Sequence, residues 1–166
     1  MSRALKVAPT AVLAILILIL SWYGRIVQRT MRELLGLEGL LAFAALATLI
    51  FLALCSRLFQ LRKGKIRWLL LSFPIGIYIL SSNPEEAIHL VEYGAFALSL
   101  SWLFSNSNYR KHASYYAISA AALMGLLDES LQGINPTRVF DFRDIVINVI
   151  GGALTVLLFT PKRNDS

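Results

Sequence analysis

Long apolar runs alternate with short polar clusters along almost the whole chain. Aliphatic and aromatic side chains dominate each run, and the charged residues collect between the runs. A helix that crosses lipid shows this pattern, because it satisfies its own backbone hydrogen bonds and presents apolar side chains. The pattern predicts an all-α, polytopic transmembrane bundle of about six spans. The predicted spans cover residues 9–23, 37–55, 68–80, 87–104, 113–127 and 145–160.

The first and third spans carry features that bear on how they cross the membrane. No small-x-small cleavage site follows the first span, which predicts an uncleaved helix rather than a signal peptide. The third span contains Pro74, which is expected to kink it. Residues 25–40, between the first two spans, have the mixed pattern of a short amphipathic helix at the membrane interface.

Composition excludes an ordinary soluble domain. Hydrophobic residues make up 57% of the 166, and only 16% are charged. The net charge of +6 does not indicate nucleic-acid binding, because the basic residues flank apolar spans and form no patch on a soluble face. The single cysteine, Cys55, lies in an apolar run and is expected to be a small buried side chain.

The distribution of basic residues predicts the orientation. Six spans place both termini on one side of the membrane, and that side collects eleven of the sixteen lysines and arginines, against five on the other. The excess predicts cytoplasmic termini. The loops that follow spans three and five then face outward.

Polar side chains concentrate at the predicted outer ends of spans four, five and six. His89 and Tyr93 lie about one helical turn apart in span four. Asp128 stands at the end of span five, Asp144 at the start of span six, and Arg138 in the loop between them. The topology brings these groups to one mouth of the bundle. The candidate catalytic residues are His89, Glu92, Asp128, Glu129 and Asp144, and the candidate substrate-binding residues are Tyr93, Gln132, Arg138 and Asn148.

Several carboxylates at one mouth repel one another, and they cannot all ionise in a poorly solvated site without compensation. They must be protonated, bind a cation, or contact a positively charged ligand. One histidine among carboxylates suits a divalent cation such as Mg²⁺ or Mn²⁺ better than structural zinc. Alternatively, His89 acts as a general base while Glu92 or Asp128 fixes its tautomer.

Structural roles compete with these functional ones. Asp141 has the position of a helix cap at the start of span six. Arg138 is placed to pair with a carboxylate and hold the mouth together, and Asn148 to hydrogen-bond between helices. Gly151 and Gly152 are expected to let two helices pack closely.

The segments EAIHLVEYGAFAL and LLDESLQGINPTRVFDFRDIVINVIGG resemble the VanZ-like family of small bacterial membrane proteins. That family is recognised by a His-x-x-Glu-Tyr element and an Asp-Glu-x-x-Gln element, followed by an arginine, an aspartate and Asn-x-x-Gly. The resemblance covers residues 66–159, and many members carry lysine where this chain has Glu86. The matching residues are His89, Glu92, Tyr93, Asp128, Glu129, Gln132, Arg138, Asp144, Asn148 and Gly151.

The resemblance implies where the protein is located more than which reaction it catalyses. The founding member of the family is associated with low-level resistance to teicoplanin, a glycopeptide that targets the cell wall. A multi-pass protein of the bacterial cytoplasmic membrane is therefore implied, with a membrane lipid or lipid-linked envelope precursor as its partner. The resemblance also divides the chain into two N-terminal spans with a basic loop, residues 1–65, and a VanZ-like core, residues 66–166.

Three classes of function remain open. The first is a membrane enzyme that acts on a lipid-linked or cell-wall substrate, and the second is a binding or accessory protein that holds a lipid head group or precursor. The third, a transporter, is the weakest, because spans one to three offer no clear polar path to the other side of the membrane. The sequence decides neither between the first two classes nor on a cofactor.

Overall fold

The computed structural model describes residues 3–61 and 84–161. The predicted third span, with Pro74, lies outside these ranges. The described chain is a bundle of four long helices, which confirms the all-helical prediction, and two three-residue strands pair antiparallel at one end. The elements in order are α1 (Arg3–Leu58), β1 (Phe59–Leu61), α2 (Pro84–Ser105), a 3-10 turn (Arg110–His112), α3 (Ala113–Ile134), α4 (Phe142–Leu158) and β2 (Phe159–Pro161).

Helix α1 is broken at Gly36. Its φ of 66° and ψ of −178° are non-helical, and a positive φ favours glycine because it has no Cβ. We call residues 3–35 the first arm and residues 37–58 the second arm. Residues 25–35 continue the first arm, so the separate interfacial helix predicted over 25–40 is wrong.

The two arms run in opposite directions along the same bundle. Ser21 and Tyr93 both donate to the Asp128 carboxylate, and Phe51 lies against Gly94 of α2. In a straight α-helix residues 21 and 51 would be about 45 Å apart. Ser21 shares the Asp128 carboxylate with Tyr93, and Phe51 lies against the next residue of α2, so the chain reverses at Gly36.

Small residues allow α2 and α4 to pack closely. A Cβ at Gly151 would lie 3.0 Å from the Cα of Leu90, and one at Gly152 would lie 3.2 Å from the Cβ of Ala97. Both glycines therefore have the packing role expected of them. Large buried side chains fill the space around this contact. The core consists of Ile17, Tyr93, Phe96, Ala97, Leu100, Ala117, Ala121 and Val156.

Within the described residues, one helix segment is long and apolar enough to cross a membrane, Val7–Cys55 of α1. The break at Gly36 divides this segment between the two arms. Six spans therefore stays a prediction. Cys55 is buried beside Leu98 and Leu158 at the end of the bundle where the strands pair, as expected for a small apolar side chain.

Candidate functional site

A cavity of about 410 Å³ opens at the other end of the bundle. Five parts of the chain meet there. They are the C-terminal part of the first arm, the start of α2, the end of α3, the start of α4, and the loop that joins α3 to α4. The cavity is lined by Arg25, Gln28, Arg32, His89, Gln132, Arg138, Val139, Phe140, Asp141, Arg143 and Asp144.

The charge balance of this lining differs from the expected one. The sequence predicted an excess of carboxylates, whereas the lining holds four arginines and two aspartates. Two features of the structure explain the difference. The first arm contributes Arg25 and Arg32, and the side chains of Asp128 and Glu129 are buried away from the cavity surface.

Arg25 and Arg138 form a pair of like charges in the cavity wall. Neither forms a salt bridge with another described residue, and the buried Nε of Arg25 has no hydrogen-bond partner there. Burial lowers the pKa of the Arg138 guanidinium, and the charge of Arg25 lowers it further; nearby carboxylates act in the opposite direction. Two half-buried arginines thus face one cavity, and neither has a salt bridge to a carboxylate in the part of the chain that the structure describes.

Neutral amides hold Arg138 in place. Its Nε donates to Oε1 of Gln132 at 2.8 Å, and its Nη2 donates to the same oxygen. Its Nη1 lies 3.5 Å from Oε1 of Gln28 on the first arm. An amide oxygen orients a guanidinium without neutralising it, so the positive charge remains available to a ligand.

Below the cavity, the buried Asp128 carboxylate joins three helices. Its Oδ1 accepts from the Ser21 hydroxyl of α1 and, at 3.0 Å, from Nε2 of Gln132 of α3. Its Oδ2 accepts from the Tyr93 hydroxyl of α2 at 2.9 Å. Gln132 therefore connects the carboxylate below the cavity to the arginine in its wall.

The loop that carries Arg138 is anchored by Asn135. The amide Nδ2 of Asn135 donates to the backbone oxygen of Trp22 at 2.9 Å. Its Oδ1 accepts from the backbone N–H of Thr137 at 3.0 Å and from the Thr137 hydroxyl at 2.9 Å. The Asn135 side chain thus bonds to the first arm through its nitrogen and to the loop through its oxygen. These bonds hold the loop against the first arm.

His89 and Glu92 are neighbouring polar side chains of α2 at the cavity end. Nδ1 of His89 lies 3.7 Å from Oε2 of Glu92, and both side chains are largely buried. His89 lines the cavity and Glu92 does not. The two side chains are close, but Nδ1 of His89 has no hydrogen-bond partner among the described residues.

The remaining candidates lie around the start of α4. Oε2 of the buried Glu129 accepts from the backbone N–H of Asp141 at 3.0 Å. The Asp141 side chain caps α4 by accepting from the N–H of Arg143. Asp144 lines the cavity, and Asn148 is buried against Gly125 without a hydrogen-bond partner in the described part of the chain.

Of the nine candidates, the structure thus brings His89, Gln132, Arg138 and Asp144 to the cavity. Asp128 and Tyr93 bond to each other behind it. Within residues 3–61 and 84–161, no three histidine, cysteine, aspartate or glutamate side chains lie close enough to hold a metal ion. The divalent cation expected from the sequence has no ligand set there.

A family comparison covers this site and almost all of the chain. The model of the VanZ/LLP1 family matches residues 5–162. The chain belongs to this family. The resemblance to VanZ-like proteins is confirmed, and the match reaches further than residues 66–159, because it includes both arms of α1. No curated protein and no solved structure matches the chain.

Sequence reasoning missed the contribution of the first arm. The motif residues of this VanZ-like chain all follow residue 85, so the arginines of the first arm were counted only as charges that set the orientation. A signal was present, because Ser21, Arg25, Gln28 and Arg32 are spaced by four, three and four residues and so share one helix face.

We predict that Asp128→Ala destabilises the fold more than Ser21→Ala. The first change removes the acceptor that three buried donors share. Ser21 keeps the backbone oxygen of Ile17 as an acceptor, but Nε2 of Gln132 keeps none among the described residues, so the free energy of unfolding should fall by about 2–4 kcal/mol. The second removes one donor and should cost about 1 kcal/mol. Unfolding of both purified variants in detergent micelles measures the difference. Wild-type stability in Asp128→Ala would show that the network does not hold the helices together.

Proposed function

We propose that this VanZ-family protein is a membrane protein whose cavity binds the anionic head group of a membrane lipid. The observation that carries the proposal is the pair formed by Arg25 and Arg138, two half-buried arginines without an acidic partner among the described residues. Half-buried like charges are unfavourable unless an opposite charge compensates them. A phosphate matches the guanidinium fork, because it accepts two parallel hydrogen bonds.

The surface of α1 supports the membrane setting. Large apolar side chains project from both arms, among them Leu34, Leu49 and Ile26, which are 77%, 65% and 63% exposed. In water this area would carry a penalty of about 25 cal/mol per Å². In lipid the penalty disappears.

Aromatic side chains support a cavity at head-group depth. Trp22 and Tyr23 are exposed on the first arm, about one turn before Arg25. Tyr109 and Tyr115 are exposed at the opposite end of the bundle. Tryptophan and tyrosine favour the two interfaces of a bilayer, so each set would mark one of them.

We further propose a multi-pass protein of the bacterial cytoplasmic membrane with both termini cytoplasmic and the cavity facing outward. Arg57 lies in the last turn of the second arm and Arg110 follows α2, both at the end opposite the cavity. That end is where the basic excess of the sequence falls, which supports its cytoplasmic location. The ligand would then be an outer-leaflet lipid or a lipid-linked envelope precursor, and its sequestration would alter glycopeptide susceptibility.

The experiment that tests the proposal uses Arg25→Gln in phosphatidylcholine nanodiscs that contain a minor fraction of anionic lipid. Arg25 has no hydrogen bond to lose within the described residues, so the variant should fold and unfold like the wild type. Its affinity for the anionic lipid should fall about tenfold or more, because one of the two charges that face the ligand is gone.

The matched control is Arg29→Gln. Arg29 lies one turn further along the same arm, is exposed, and does not line the cavity. This variant should bind like the wild type. Equal affinity in the wild type and in both variants would reject the cavity as the binding site, and would favour an accessory or structural role.

His89 favours a second candidate function, an enzyme that acts on the bound head group. It lines the same cavity as the arginine pair, and Glu92 lies 3.7 Å from its Nδ1. A histidine beside a bound phosphate ester is placed to transfer a proton during bond cleavage.

If the protein is an enzyme, a strain that carries His89→Ala should show the lipid profile of a deletion strain, although the purified variant still binds anionic lipid. The control is His112→Ala, the other histidine, which is exposed in the 3-10 turn at the opposite end. Lipid profiling of the three strains measures the effect. A wild-type profile in His89→Ala at normal abundance would leave binding as the function.

A further inference from the structure

We infer that the hydrocarbon tail of the bound lipid leaves the cavity over Val139, on the loop between α3 and α4, and then runs along the outer face of α4. The inference rests on the proposed function, since it concerns the same cavity, and it adds the path of the tail to the binding of the head group. The hydrocarbon side chains of the cavity wall and of the surface below it carry the inference.

The hydrocarbon side chains of the cavity wall stand on one side. Among the described residues of the lining, Val139 and Phe140 carry hydrocarbon side chains, and the others carry charged, amide or imidazole groups. Val139 directly follows Arg138 in the chain, so a hydrocarbon surface begins one residue away from a guanidinium proposed to hold the phosphate. An inorganic anion gains nothing from such a surface, whereas an amphiphilic ligand contacts both parts.

The loop that presents Val139 is fastened at both ends. At one end, the side chain of Asn135 bonds to the backbone oxygen of Trp22. At the other end, the backbone N–H of Asp141 donates to the buried carboxylate of Glu129. Val139 is nevertheless 78% exposed between these two anchors. An anchored loop therefore holds a hydrocarbon side chain at the rim of a polar cavity, instead of turning it into the core.

Val139 differs from the exposed apolar side chains of α1, because it belongs to the cavity wall as well as to the outer surface. Bulk lipid covers only the outer surface of a bundle. A residue that the two surfaces share marks the place where they connect. A tail that passes from a polar cavity into the membrane crosses this boundary most favourably over a hydrocarbon side chain, since charged and amide groups would lose hydration against it.

Below the loop, exposed hydrocarbon side chains continue along α4. Phe142, in the first turn, is 69% exposed, and Val146, one turn further from the cavity, is 41% exposed. Helix α4 begins at the cavity and ends at the opposite end of the bundle, so this line of side chains descends from the head-group region toward the hydrocarbon of the membrane. It is the direction that an acyl chain takes when its phosphate lies in the cavity.

The test measures the affinity of the full-length protein for dioleoyl phosphatidylglycerol by native mass spectrometry from detergent micelles. Val139→Ser and Phe142→Ser should each lower this affinity about fivefold, because each removes hydrocarbon surface from the path of the tail. Val139→Leu keeps the hydrocarbon and should bind like the wild type, which separates lost tail contact from a disturbed loop.

The matched control is Val12→Ser. Val12 is an exposed valine of the first arm, 13 residues before Arg25 and thus about 20 Å away along the helix. This variant should bind like the wild type. An equal loss of affinity in Val12→Ser would show a general effect of surface polarity on lipid uptake and would overturn the inference.

The outcomes separate the inference from the function on which it rests. Unchanged affinity in Val139→Ser and Phe142→Ser, with a loss in Arg25→Gln, overturns the tail path and leaves head-group binding intact. Unchanged affinity in all three variants overturns both. Inorganic phosphate that binds the wild type as tightly as the lipid does identifies a soluble anion and overturns the inference. A dimer or protein complex that Val139→Ser abolishes at unchanged lipid affinity assigns the surface to a protein partner instead.

Discussion

The hydrogen bonds to the Asp128 carboxylate are the interaction on which the rest of this end of the bundle depends. One buried side chain accepts from Ser21 of the first arm, Tyr93 of α2 and Gln132 of α3, so it fixes the relative positions of three helices. Where water is scarce, such donors have few alternative partners, and a shared acceptor is correspondingly selective for one arrangement. Gln132 then carries the constraint into the cavity, because its amide oxygen orients Arg138.

This arrangement separates the buried carboxylates from the arginines of the cavity. Asp128 and Glu129 are buried and bond to groups of the protein, whereas the arginines face the cavity. Gln28 and Gln132 hold Arg138 without neutralising it. A glutamate at either position would form a salt bridge with the guanidinium and compete with an anionic ligand. Amides in these positions leave the charge of Arg138 in place, as the proposed binding of an anion requires.

Much of the fold follows from the sequence, because apolar runs and polar clusters reveal helices directly. The runs that became α2, α3, α4 and the two arms of α1 were all predicted, and Gly151 has the packing role inferred from its size. The break at Gly36 was not predicted, since a glycine between two leucines is compatible with either a turn or a continuous helix. The interfacial helix assigned to residues 25–40 was wrong for the same reason.

The candidate site was harder to predict. Motif spacing placed His89, Gln132 and Arg138 at one mouth, and they do line one cavity. The contribution of the first arm depends on long-range contacts, such as Ser21 with Asp128 and Asn135 with Trp22, which no local pattern encodes. Without Arg25 and Arg32, the charge of the mouth appeared acidic, and a bound cation was the natural expectation.

Anion binding between the two arginines is tested most directly by an electron cryomicroscopy structure of the protein in nanodiscs that contain an anionic lipid. We expect density for a phosphate between Arg25 and Arg138, within hydrogen-bond distance of both guanidinium groups. Well-resolved arginines that turn away from the cavity or pair with carboxylates, with lipid phosphates only on the outer surface of the bundle, would contradict it.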